Sequence, residues 1–182
     1  IEFDFVDSQL VVRSTSGKRH TVPLVSGSVA TFWHQLEEAL EDLSLGCSIV
    51  PTPNEVPDAV AFPTDTTHRD YDPQAALTFW RQIVSMEPAF ALWRSGFIGK
   101  DSPVQLFWGS LDLSVTRFSG RGAPAHQGNP PNCPPWVMAE ASSRENAAVG
   151  FWPGGSTEGT FYAYLYPEPK GYRDAKLSVG HF

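Results

Sequence analysis

Apolar and polar positions alternate with a period of two over Ile1–Phe5 and again over Gln9–Arg13, the spacing of half-buried strands. A turn at Asp7-Ser8 would set Phe5 against Leu10, Phe3 against Val12 and Glu2 against Arg13. One register then yields both an apolar face and a cross-strand ion pair. Ser14–Lys18 reads as a turn and Arg19–Leu24 as a third strand. From Ser28 the period changes to that of a helix. Val29, Phe32, Trp33, Leu36, Leu40 and Leu43 form a stripe opposite Glu37, Glu38, Glu41 and Asp42. The pattern predicts a helix over 29–45, capped by Ser28 and ended by Gly46 at C′. Cys47–Val50 reads as a short strand. Asp72-Pro73 pairs an N-cap with proline at the first helical position. It opens a second helix with Ala76, Trp80, Ile83 and Val84 inward, which Pro88 is expected to kink or end.

The strongest strand signal runs from Pro103 to Arg121. Val104, Leu106 and Trp108 alternate with Gln105 and Phe107; after Gly109-Ser110 the apolar phase flips to Leu111, Leu113 and Val115. A two-residue type II′ loop opened by Gly109 accounts for the flip, and so does a bulge at Gly109 within one long strand. The hairpin would pair Trp108 with Leu111, Leu106 with Leu113 and Val104 with Val115, leaving Gln105, Phe107, Asp112, Ser114 and Thr116 on the other face. Arg117 continues the apolar phase, so its guanidinium has to reach water at the strand end or meet a carboxylate.

Residues 119–135, rich in Gly and Pro, read as an irregular excursion, and Trp136–Ala141 as a helical turn. Ala147–Trp152 and Thr160–Tyr166 are strands separated by a P-G-G-S-T-E-G turn. Phe161, Ala163 and Leu165 make one face of the latter, a ladder of Tyr162, Tyr164 and Tyr166 the other. The tail beyond Pro167 reads as a surface strap. Residues 51–72 form a long acidic loop with four prolines, a length that is uncommon in compact domains. T-F-W-H-Q at Thr31 recurs as T-F-W-R-Q at Thr78, which points either to a duplicated helix-plus-sheet unit or to a shared amphipathic pattern. The expected fold is α+β: a single domain with a mainly antiparallel sheet, two principal helices on one face, and irregular loops at 51–72 and 119–135.

Charge narrows the partners. The net charge of −7 argues against a nucleic acid held through its phosphates. Residues 1–72 carry 12 acidic and 4 basic side chains, residues 73–182 carry 8 and 9, so an anionic ligand would prefer the second half. Cys47 and Cys133 make neither a disulfide framework nor a zinc knuckle. No apolar run reaches the ~18 residues of a membrane span, and no signal-type segment is present. A cytoplasmic protein is expected. The chain opens at Ile1 already in strand pattern and reads as a fragment whose upstream part would complete the sheet.

F-W-G-S-L-D-L-S-V-T-R-F-S-G-R, G-F-W-P-G-G and F-Y-A-Y-L-Y-P-E-P, in that order, resemble an uncharacterised, largely bacterial family, domain of unknown function 5996. The opening F-D-F-V-D-S-Q-L-V-V-R, H-R-D-Y-D at His68–Asp72 and S-P-V at Ser102 are similar too. The resemblance implies an upstream helix and strand segment, and no function. Two positions depart from it. Ser143-Arg144-Glu145 stands where the family has Ser-His-Glu, which weakens any histidine-based role there, and Pro88 interrupts a helix.

No nucleophile elbow, P-loop, dinucleotide fingerprint or zinc spacing is present, and no cofactor is implied; Ser119 and Ser142 have no identifiable base beside them. Asp112 and Glu145, facing across a cleft, could act as general acid and base of a hydrolase; Asp112 paired with Arg117 or Arg121 is the structural alternative. His68, Asp70 and Asp72 could offer ligands to a divalent metal, although Asp72 is also needed as a helix cap. Trp108, Trp136, Phe151, Trp152 and the tyrosines, fringed by Arg117, Arg121 and Arg144, could line a pocket for a small anionic or ring-shaped ligand, with Asp112 at its floor. The alternative is that these aromatics are core. Three functions follow as expectations: small-molecule binding, hydrolysis through Asp112 and Glu145, or a structural or protein-interaction module.

Overall fold

The computed structural model describes residues 1–154 and 158–181, so residues 155–157 of the expected P-G-G-S-T-E-G turn lie outside the described residues. The chain forms two compact units, residues 1–85 and 86–182. The class is α+β, but the strands divide between two antiparallel sheets instead of building one.

In the first unit β1 (Glu2–Asp4), β2 (Gln9–Arg13) and β3 (Arg19–Pro23) pair in that order. The first register differs from the sequence expectation by two residues: Phe3 lies opposite Leu10 and Asp4 opposite Gln9. Asp4 is the cause. Its Oδ1 accepts the amides of Val6 (3.0 Å) and Asp7 (2.9 Å), closing a four-residue loop in which Ser8 takes φ 52°. A shift of two keeps every side chain on its face, and Arg13 still meets Glu2 at 3.1 Å.

Helix α1 (Val29–Asp42) starts at Ser28, whose Oγ accepts the Thr31 amide. It ends earlier than Gly46. Ser44, at φ 55°, is the left-handed residue, with its amide on the Glu41 carbonyl and the Leu45 amide on that of Leu40, the paired bonds of a Schellman end. Leu40 and Leu43 reach Leu10, Val12, Val22 and Leu24 to form the core of this unit. Cys47–Val50 is irregular, not a strand, and the 51–72 loop holds one 3-10 turn, Phe62–Thr64.

Helix α2 (Pro73–Ser95) is capped by Asp72, which accepts the Gln74 and Ala75 amides at 2.8 and 3.2 Å. It does not end at Pro88. The bond lost there belongs to the Val84 carbonyl, and Val84 is half exposed, so water can take its place. Both copies of the T-F-W motif fall in residues 1–85, one on each helix.

The second unit is built on β6 (Asp112–Gly122). On one side it pairs β7 (Arg144–Trp152), which pairs β8 (Thr160–Tyr166) at the sheet edge; on the other it pairs β4 (Lys100–Asp101) and β5 (Gln105–Phe107). A seven-residue helix, α3 (Pro135–Ala141), precedes β7. The irregular excursion starts at Ala123 rather than Ser119, because β6 runs on to Gly122.

The β5–β6 hairpin has the predicted register, Leu106 opposite Leu113, but a different turn. Trp108–Leu111 form a four-residue loop in which Leu111, not Gly109, takes the positive φ (61°) and donates its amide to the Phe107 carbonyl at 2.7 Å. Val104 falls outside β5, since the pairing slips by one residue between β4 and β5. Leu113, Val115 and Phe151 are buried, and Phe90 of α2 meets the Phe161 ring edge-on at 6.3 Å.

Candidate functional site

Arg117 is the side chain the hydrophobic pattern left unexplained. Its register partner on β4 is Asp101, and a carboxylate there could pair with it. Asp101 is already taken: Arg94, in the last turn of α2, donates Nε and Nη2 to Asp101 Oδ1 at 3.0 and 2.7 Å. The Arg117 guanidinium instead lies on the Trp93 ring, 3.6 Å from its centroid, with Phe97 at 5.4 Å. Such stacking on an aromatic face is worth ~0.5–2 kcal/mol. It does not supply an acceptor. Among the described residues none pairs with Arg117, and its Nε is buried without a hydrogen-bond partner.

Beside this cation is a cavity of about 460 Å³, walled by Phe97, Phe118, Leu165, Tyr166 and Pro167, a volume within the usual range for small-molecule sites. Arg121 and Glu145 stand on its wall as a pair. Glu145 Oε2 accepts from Arg121 Nε and Nη2, both at 2.6 Å, and from Ser119 Oγ at 2.9 Å. The Arg121 and Ser119 bonds hold the Glu145 carboxyl below its ordinary pKa, and Glu145 raises that of Arg121. Ser119 therefore does have a carboxylate beside it, contrary to expectation. Glu168, also on the wall, is clasped by Arg173 through bonds of 2.9–3.1 Å, which lower its pKa. Tyr166 is anchored by its hydroxyl, which donates to the Pro124 carbonyl at 2.8 Å.

The other expected ligand residues sit elsewhere on the sheet. Asp112 is not paired with Arg117 or Arg121; it accepts hydrogen bonds from the Ser110 hydroxyl and from Tyr162. Trp152 Nε1 donates to the Ser110 carbonyl at 3.1 Å, and Trp108 is exposed in the adjoining loop. Burial and the bond to Asp112 push the Tyr162 phenol well above its ordinary pKa. Gly150, opposite Tyr162 in the register, makes this possible: a Cβ there would collide with the Tyr162 ring and lie 2.8 Å from the Leu113 carbonyl oxygen.

Trp108, Asp112 and Trp152 thus lie together at the hairpin end of β6, while Arg117 and Arg121 line the cavity. Glu145 bonds to Ser119, seven residues along β6 from Asp112. At ~3.3 Å per residue that is roughly 23 Å, so the two carboxylates do not face each other. Of the other residues expected to line the pocket, Phe151 is core, Trp136 is exposed on α3, and Arg144 is not on the cavity wall.

His68, Asp70 and Asp72 are not gathered either. The His68 ring bonds the buried Asp65 (Nδ1 to Oδ2, 2.7 Å), and Asp65 Oδ1 accepts the Thr67 and His68 amides, which holds its pKa down. Asp72 caps α2. No cluster able to hold a metal occurs among the described residues. Tyr166, one of the tyrosines expected to line a pocket, does so; the sequence reading missed Trp93 and Phe97. Trp93 had a signal, since it falls on the inner face of a helix that had to cover the apolar phase ending in Arg117.

Fold and site define a two-sheet α+β protein whose second sheet carries an arginine-lined cavity. Among the described residues no helix is long and apolar enough to cross a membrane. The chain belongs to DUF5996, a family of unknown function, whose model matches residues 1–181. No curated protein and no solved structure matches it.

Proposed function

We propose that the protein binds a small anionic ligand with an apolar body in the cavity beside Arg117. The observation that carries this reading is the guanidinium itself. It is half-buried, fixed on Trp93 and given no acceptor by its neighbours, while the nearest register carboxylate is committed to Arg94. A buried N–H without an acceptor is costly, Arg117 Nε is one, and an anion entering the cavity would give the guanidinium an acceptor. The aromatic and proline walls suit the ligand's body. A cytoplasmic setting fits two thiols that are unbridged, Cys47 exposed and Cys133 buried.

Thermal-shift screening of aromatic and aliphatic carboxylates against the whole chain tests the reading. Carboxylates with an apolar body are expected to raise the melting temperature, and Arg117→Ala to abolish the rise. A screen without hits, or a shift that survives Arg117→Ala, would remove its support.

A further inference from the structure

The cavity wall also carries a charge count that selects among anions. Four charged side chains line it: Arg117, Arg121, Glu145 and Glu168. Glu168 is neutralised outward by Arg173, through contacts to both carboxylate oxygens. Arg121 is neutralised inward by Glu145, with Ser119 as a third partner on the same oxygen. One positive charge is left, on Arg117. Resting on the ligand-binding reading above, we propose that the site takes monoanions, a carboxylate on an aromatic or aliphatic body, and rejects dianions such as phosphate monoesters. Glu145 is the residue that sets this preference.

The physical reason is that Glu145 occupies the place a second anionic charge would need. A dianion placed on Arg117 would find Arg121, at the open rim of the cavity, already satisfied and its carboxylate partner nearby, and like charges brought together repel. A monoanion meets neither problem. Glu145→Gln keeps the length of the side chain and an oxygen for the Ser119 hydroxyl, but frees Arg121 and raises the local charge by one. Arg121→Gln does the reverse, leaving Glu145 uncompensated.

Isothermal titration of the full chain with benzoate and with phenyl phosphate, at a pH about 1.5 units above the second phosphate pKa of about 6, reads the preference directly. The wild type is expected to bind benzoate at least about tenfold more tightly, and Glu145→Gln to shift the ratio toward phenyl phosphate by about tenfold. Arg121→Gln should weaken both probes, phenyl phosphate more. Equal wild-type affinities, or a ratio unmoved by both substitutions, would overturn the monoanion inference while leaving the cavity reading intact, provided Arg117→Ala still abolishes binding. If neither probe binds the wild type at millimolar concentration, both readings fall.

Discussion

Tyr162 is the residue whose chemistry reports most directly on the folded state. Its phenol donates to Asp112, and burial together with that carboxylate raises its pKa. In the unfolded chain a phenol titrates near ~10, so folding binds this proton more tightly. The stabilisation is complete below about pH 10 and is lost as pH rises through the folded value. Tyr162→Phe should therefore cost about 1.5 kcal/mol at neutral pH, the low end for a hydrogen bond to a charged group because the pair is only partly buried. The gap between wild type and variant in urea unfolding should shrink as the buffer is taken above about pH 10. A constant gap would mean that Asp112 draws no benefit from the hydroxyl.

At the scale of elements, hydrophobic period placed side chains on the correct faces, and turn chemistry decided what it could not. The β1–β2 and β5–β6 hairpins close through four-residue loops whose last residue is left-handed, Ser8 and Leu111, where a reading of turn residues looks for glycine; the β2–β3 turn does use one, Gly17 at φ 86°. The helix starts at Ser28 and Asp72 were legible because an oxygen at the N-cap has one job. The ion pairs of the site were not. Arg121 with Glu145, and Arg94 with Asp101 in place of Arg117, depend on strand register and on where α2 ends. Gly150 belongs to the same class: its need for a bare α-carbon arises from a tyrosine on the neighbouring strand. Gly150→Ala is expected to push the Tyr162 ring off Asp112 and cost about 1–3 kcal/mol, measured by chemical denaturation. A neutral result would show that the ring can slide without loss.

Across the whole molecule the charge is divided as the sheets are. Residues 1–85 carry 12 acidic and 5 basic side chains, and residues 86–182 carry 8 of each, so the entire net charge of −7 resides in the first unit. The asymmetry was visible in the sequence; the division of the strands into two sheets was not, because period alone does not say which strands pair. The neutral second unit ends its sheet on β8, T-F-Y-A-Y-L-Y, with no charged residue along seven positions and with Phe161 and Tyr164 exposed. A border of this composition can recruit further chains into a growing ribbon when the protein is concentrated or refolding. Turbidity after dilution from denaturant should fall when Ala163→Lys places a cation there, and unchanged turbidity would show that the growth starts elsewhere.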